Sequence, residues 1–258
     1  LTTESFDGGI GNRIRIFLDR CTTCQASQRN HKNEKKDEKL DWFHTPNVKD
    51  PVDKAIREGI LNNELPFIQL LLEAYASGIF PMGTPEGHIE WYSPDPRGIL
   101  PLDEFHTPHG LRRALKKTDW EIKIDHDFRG VLKACAFREK TWITPDIEQC
   151  YLQLFEEGYA HSVEVWLDGF LAGGLYGVSL GAAFFGESMF HRVTDASKVA
   201  LWHLVKILRQ NGYLLLDTQW NTPHLATFGA REISRSDYLG QLAGALEIKA
   251  SFPRAKDA

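Results

Sequence analysis

This chain of 258 residues is short of several things, and each shortage removes a class of protein. No apolar run approaches the ~20 residues that a membrane-spanning helix needs. The opening LTTESFDGG has neither the basic nor the apolar region of a secretory leader, so a cytoplasmic protein is expected. Cysteine is sparse: four in the whole chain do not build a disulfide scaffold, and reducing surroundings suit them. Excess positive charge is missing as well. With a formal net charge of −5, the chain as a whole does not attract nucleic acid, and such a partner needs a local basic patch. No internal repeat is visible. Cys21 and Cys24 form one CxxC with His31 as a candidate third ligand, but a zinc ribbon needs a second pair, so no metal site is expected.

What is present is ordinary globular material, 42% hydrophobic and 25% charged. Residues 1–40 are expected to be a polar extension, because QASQRNHKNEKKDEK (25–39) is densely charged and suits a solvated segment. A small N-terminal domain is expected over 41–98, a larger domain over 99–250, and a tail over 251–258. Pro66 suits the first turn of a helix; Phe67, Leu70, Leu71 and Ala74 follow at helical spacing, and Gly78 stops it. GIFPMGTPEGHIEWYSPDPRG is dense in Pro, Gly and aromatics and reads as an ordered, turn-rich connection.

The larger part alternates. Residues 109–117 read as a helix and Trp120–Ile124 as a strand. Over 145–157, Ile147, Cys150, Tyr151, Leu154 and Phe155 share one helical face. SVEVWL and FLAGGLYGV flank Asp168-Gly169, a hairpin signal. AAFFGESMF is the next strand. Asp195 suits the cap of a helix to Gln210, with Leu201, Leu204, Val205 and Leu208 inward and Gly212 as the stop. LLLDTQW (Leu214–Trp220) is a further strand. The pattern is that of a mixed α/β or α+β chain with an antiparallel centre and a late β-α-β unit.

Three constellations carry chemistry. In GESMF, Glu187 is a charged residue in an apolar strand, suited to a site or to a plain salt bridge. In LLLDTQW, Asp217 and Gln219 stand two apart and are expected to share a strand face; a satisfied buried pair is the bland alternative. In HGLRRALKK, His109, Arg112, Arg113, Lys116 and Lys117 fall on one helical face opposite Leu111, Ala114 and Leu115. Like charges stacked so repel each other unless an anion such as a phosphate chain answers them, or unless the face is simply solvated.

SPDPRG (93–98), TWIT (141–144), GYAHSVEVW (158–166), GGLYGV (173–178), FGESMF (185–190), ASK (196–198), DTQ and SRSDYL (234–239) occur in that order. In this series the chain resembles the bacterial leucyl/phenylalanyl-tRNA–protein transferases, from about Pro66 to about Leu246. Residues 1–50 match nothing in that family. The resemblance implies an α+β fold: a small N-terminal domain plus a C-terminal GCN5-related N-acetyltransferase-like (GNAT) domain with a mixed, mainly antiparallel sheet. It implies an aminoacyltransferase that moves Leu or Phe, less well Met, from aminoacyl-tRNA to the N-terminal α-amine of proteins beginning with Arg or Lys, marking them for degradation. No metal or coenzyme is implied, and the state implied is a monomer.

Carried over residue by residue, Asp217 and Gln219 match the family's catalytic pair and Glu187 an acid near the acceptor. The basic helix with His109, Arg112, Arg113, Lys116 and Lys117 matches the surface that meets the 3′ end and acceptor stem of the tRNA. Met82, Trp142, Leu175, Phe184, Met189, Leu204, Leu208 and Leu216 match an apolar pocket for the aminoacyl side chain. Met82 and Leu175 stand where the family's best-known members have Trp and Met, which bears on the Leu:Phe preference. Two other readings stay open. One is an acyltransferase on the same fold with another donor; but HRVTDASKVAL has no glycine to present backbone amides to a CoA pyrophosphate. The other is a non-catalytic tRNA- or peptide-binding protein, which has no use for DTQ.

Overall fold

The computed structural model describes residues 67–117, 119–139 and 141–253. The polar extension, Cys21, Cys24, His31 and the Pro66 helix start lie outside the described residues. Contacts divide the chain between Ala74 and Tyr75. Of the first unit, only the start of helix α1 (Phe67–Ala76) is described. Gly78 follows with φ 75°, and its N–H bonds the Tyr75 carbonyl, so the predicted stop is where the helix ends.

Among the described residues, the second unit has a hairpin, β1 (Phe80–Gly83) with β2 (Ile89–Tyr92), and a seven-stranded sheet. The sheet contains β3 (Arg97–Ile99), β4 (Glu121–Ile124), β5 (Ala160–Leu167), β6 (Phe170–Leu180), β7 (Ala183–His191), β8 (Leu215–Gln219) and β9 (Arg231–Ile233). Their order across it is β4-β5-β6-β7-β8-β3-β9. Every neighbouring pair is antiparallel except β7 with β8. The expected α+β class with a mixed, mainly antiparallel sheet is therefore observed.

The local signals act as their chemistry demands. Asp168 and Gly169 both have positive φ, 51° and 78°, which gives the tight turn between β5 and β6 the twist the strands need. Helix α2 (His109–Lys117) is followed by α3 (Phe128–Ala136) and α4 (Pro145–Glu157). Thr144 caps α4 through its side chain, Pro145 takes the first turn, and Gly158 closes it at φ 85°. Helix α5 (Ala196–Gln210) links β7 to β8 and buries Leu201, Leu204, Val205 and Leu208 as expected. Its start departs from expectation. Asp195 stands at the N-cap with φ 72° but makes no capping bond, because its carboxylate takes Lys198 Nζ at 2.6 Å instead. The three leucines of LLLDTQW also separate: Leu214 precedes the strand and is 57% exposed, whereas Leu215 and Leu216 are buried. Two further helices are described in this unit, α6 (Pro223–Ala226) and α7 (Arg235–Leu246). The core between α5 and the sheet gathers Val163, Val165, Leu175, Phe184, Val199, Leu204, Leu208 and Leu216. None of the described helices is long and apolar enough to cross a membrane.

Candidate active site

The parallel pair β7·β8 runs through Ala183↔Leu215 and Phe184↔Leu216 and ends at Phe185↔Asp217. Beyond that point each strand turns away to its other neighbour, and each does so through a bulge. Against β6, Tyr176 pairs with Ser188 and Gly177 with Gly186, which leaves Glu187 as the extra residue. Against β3, Gly98 pairs with Gln219 and Ile99 with Asp217, which leaves Thr218 as the extra residue. A bulge re-aims the side chains around it and is favoured where a site must be built. Between the parted strands opens a cavity of about 270 Å³, lined by Gly186, Glu187, Ser188 and Met189 from β7, by Thr218 and Gln219 from the end of β8 and by Trp220 just after it.

The bulge corrects one expectation. Asp217 and Gln219 do not point the same way, because Gln219 takes the left-handed φ of 57° next to the extra residue. Asp217 turns away from the cavity. It is fully buried and receives Arg97 Nε at 3.0 Å, Arg97 Nη2 at 2.6 Å and the Tyr238 hydroxyl at 2.8 Å. Arg97 is itself buried, donates to the Gly78 carbonyl at 2.9 Å, and lies over the rings of Phe80 and Tyr238. Burial disfavours its charge most strongly of any single cause, but Asp217, Tyr238 and Glu187 together outweigh this and hold the guanidinium above its ordinary value. Burial and the neighbouring Asp217 raise the Tyr238 phenol far above its usual range, so it stays a neutral donor. Asp217 Oδ1 also accepts the backbone N–H of Gln219 at 2.8 Å. The acid therefore fixes the conformation of Gln219.

Gln219 faces the cavity, and its Nε2 donates to Glu187 Oε1 at 3.2 Å. The same oxygen accepts the Tyr75 hydroxyl at 2.8 Å, and Oε2 accepts that of Tyr151 at 2.9 Å. The two hydroxyls also lie 2.7 Å apart. Glu187 thus has neutral donors around it and no cation within bonding distance among the described residues. Burial drives its carboxyl up to about 7; the two tyrosine bonds and Arg97 pull down, and Asp217 adds to the rise. Near neutral pH it is divided between acid and carboxylate.

The apolar wall follows the sequence reading in six of eight positions. Met82, Trp142, Leu175, Met189, Leu204 and Leu216 line the cavity. Phe184 and Leu208 do not, and for these two the expectation is corrected. Phe184 is closed in the core, its ring against Phe252 at 5.3 Å and over Gly177, where a Cβ would come within 2.4 Å of it. Leu208, one turn beyond Leu204 on α5, is fully buried in the core between that helix and the sheet. The sequence reading missed Phe80, Tyr176, Leu201, Thr218, Trp220 and Leu225 on the lining. Leu201 carried a signal, as a helical-spacing partner of Leu204. It also missed Arg97, although a carboxylate leaving an apolar strand requires some cation.

Helix α2 keeps Leu111 buried in the core, and it packs on α5. His109, Arg112, Arg113 and Lys116 are exposed along its outer face; the Lys117 side chain lies outside the described residues. Arg112 Nε donates to the Thr107 carbonyl at 2.9 Å, and none of these groups is paired with a described carboxylate. The face is available to an anion.

A family-wide sequence model described as "Leucyl/phenylalanyl-tRNA protein transferase" matches residues 99–243, and one for that family's N-terminal domain matches residues 68–95. A leucyl/phenylalanyl-tRNA–protein transferase from Salinibacter ruber is 52% identical over 190 residues, 73% of this chain and 84% of that protein. One from Paramagnetospirillum magneticum is 56% identical over 72% of this chain and 91% of that protein. One from Akkermansia muciniphila is 54% identical over 69% and 95%. Likeness to solved structures is weaker. L-PGS from Bacillus licheniformis has 11% identity and a TM-score of 0.40 over 68% of this chain and 69% of that one. A ribosomal-protein-alanine N-acetyltransferase from Brucella melitensis has 18% identity and a TM-score of 0.31 over 41% and 84%. By its matched residues, the chain belongs to the leucyl/phenylalanyl-tRNA–protein transferases, a family of aminoacyltransferases.

Proposed function

We propose that the protein transfers Leu or Phe, and less well Met, from aminoacyl-tRNA to the N-terminal α-amine of proteins that begin with Arg or Lys. The observation that carries this is Gln219, aimed into the cavity between Glu187 and an apolar wall while Asp217 fixes it from behind. The reaction is attack of an amine on an ester. The N–C bond forms, the ester C–O bond breaks, and the ribose oxygen leaves with a proton. A free α-amine has a pKa of ~7.7–8.0, so deprotonation at pH 7 costs only about 1 kcal/mol. Orientation of the two reactants supplies ~7–11 kcal/mol. Positioning therefore matters more than a strong base.

In this reading the Gln219 side-chain oxygen holds the attacking amine and helps pass its proton on. Asp217 is a positioning residue, because its oxygens are occupied by Arg97, Tyr238 and the Gln219 N–H. Glu187 receives the cationic first side chain of the acceptor, and its neutral surroundings favour that, since an arriving guanidinium or ammonium is the missing counter-charge. Met82, Trp142, Leu175, Met189, Leu204 and Leu216 receive the aminoacyl side chain. An apolar slot of this kind separates substrates one methylene apart by only ~1–3 kcal/mol. The exposed cations of α2 meet the RNA phosphates.

The remaining expectations belong to the same proposal: marking of acceptors for degradation, a cytoplasmic monomer, a domain border near residue 98 and a GNAT-like larger domain. The border draws support from the two family matches, which meet between residues 95 and 99. The GNAT-like arrangement draws support from an antiparallel run ending in one parallel pair joined by a helix. The test is direct. Charged leucyl-tRNA is mixed with a peptide beginning in Arg, and the mass gain of one leucine is read. No gain with the parent protein refutes the proposal; a gain that survives in Gln219→Ala refutes the role given to Gln219.

A further inference from the structure

Two hydroxyls on the cavity lining have no part in the mechanism above. The Tyr176 phenol oxygen and the Thr218 Oγ1 are buried, and neither has a hydrogen-bond partner among the described residues. Both residues line the cavity. Unpaired buried hydroxyls are unusual, because each has lost water and gained nothing. They are also not accidents of loose packing. The Tyr176 ring is wedged between Tyr151 at 5.2 Å and Phe128 at 5.8 Å, and the residue is fully buried. Its phenol has Glu187 and Arg138 as charged neighbours, and both of these line the same cavity. Arg138 directs its Nη2 to the Ser188 hydroxyl and the Met189 carbonyl, at 2.8 and 2.9 Å, rather than to the phenol. Thr218 is the bulge residue of β8, immediately before Gln219. Tyr176 lies opposite the bulge of β7 and Thr218 is the bulge of β8, so both residues stand on the cavity lining where the two strands part.

An aminoacyl ester has two polar groups where its side chain meets the ester: an α-ammonium and a carbonyl oxygen. Burying the side chain in the slot carries both groups to its mouth, where each needs a partner. The geometry points to Tyr176 as the acceptor for the donor's α-ammonium and to Thr218 as the donor to its carbonyl oxygen. This rests on the aminoacyl-ester donor proposed above. The acid side of the phenol, at Glu187, suits the cation. Thr218 suits the carbonyl because that carbon must lie beside Gln219 to be attacked. The pair would read the shared backbone of any aminoacyl group, while the wall reads its side chain.

The experiment uses the full chain and two stable probes, with binding read by calorimetry. The first is 3′-amino-3′-deoxyadenosine acylated by leucine, whose amide stands in for the ester. The second carries 4-methylpentanoic acid, the same skeleton without the α-amine. The parent should prefer the first by roughly tenfold, the worth of one charged hydrogen bond. In Tyr176→Phe that preference should shrink to less than about twofold. In Thr218→Val both probes should weaken by the same factor, roughly three- to tenfold, because both keep the carbonyl. The thermal midpoints of both variants should equal or exceed the parent's, since each substitution removes an unpaired buried group. A parent-like preference in Tyr176→Phe, or parent-like binding in Thr218→Val, overturns the assignment while the transfer assay stands. A lowered midpoint in either variant shows a partner within the fold and also overturns it. If the parent binds neither probe, the donor reading falls as well.

Discussion

Asp217, fully buried, and Glu187, half-buried, are two carboxyl sites joined through one residue, and they are built in opposite ways. Asp217 meets a guanidinium with both oxygens and a phenol besides, and it faces away from the cavity. Glu187 meets two phenols and an amide, all neutral, and it lines the cavity. The first site is complete. The second has no cation within bonding distance among the described residues, and burial pushes its carboxyl up to about 7. Gln219 touches both, by its N–H at 2.8 Å on one side and its side-chain amide at 3.2 Å on the other. The same chemical group therefore serves as a fixed anchor where it is fully buried and as a socket for a cation where it is half-buried on the cavity lining. What separates them is whether the fold supplies the counter-ion.

The largest effect should come from stripping the anchor of its cation. Arg97→Met leaves Asp217 buried and unpaired, and urea denaturation should show a loss of ~3–5 kcal/mol. Adding Asp217→Leu should recover most of that stability without recovering transfer. Recovery of both would make the pair dispensable scaffolding and erase the contrast. Next comes the bridge. Gln219→Ala should cut kcat/KM for transfer by roughly a hundredfold with little change in unfolding free energy, as for other groups that position a reacting atom.

A smaller effect is expected at the socket. In the parent, kcat/KM for an Arg-initiated acceptor should rise as pH climbs through about 7, where free Glu187 ionises. Glu187→Gln should remove that limb, leave only the acceptor amine's own rise near pH ~8, and weaken Arg acceptors by roughly tenfold. The smallest effect is on stability. Glu187 keeps its proton in the folded chain up to about 7, whereas its ordinary value is 4.5, so folding is favoured at low pH. That advantage fades as pH rises from 4.5 to about 7 and is absent above; the thermal midpoint of Glu187→Gln should lack this slope. An identical slope in both proteins would place the unmatched charge elsewhere.

Local periodicity made most of the larger unit legible before any coordinates. Helix α4 has its cap, its proline and its glycine within fifteen residues, and the Asp168-Gly169 turn dictates its own hairpin. The candidate site was legible by residue type and less so by direction. A period of two puts Asp217 and Gln219 on one face, but the pairing of β8 with β3, more than a hundred residues earlier, inserts the bulge that parts them. Arg97 was hidden for the same reason: nothing near it in the chain says that it will meet Asp217. Phe184 and Leu208 carry the same apolar signal as Met189 and Leu204, and only three-dimensional depth separates core from wall.

One small absence sets the shape of the cavity from behind. The chain leaving Gln219 crosses so close over Gly98 that an added methyl would fall 2.5 Å from the Trp220 carbonyl carbon and 2.7 Å from the Asn221 nitrogen. Trp220, Thr222, His224 and Leu225, all on that crossing segment, form one rim of the opening. A single carbon placed on β3 would therefore act as a shim, pushing the rim outward and changing which side chains the slot admits without substituting any residue that lines it.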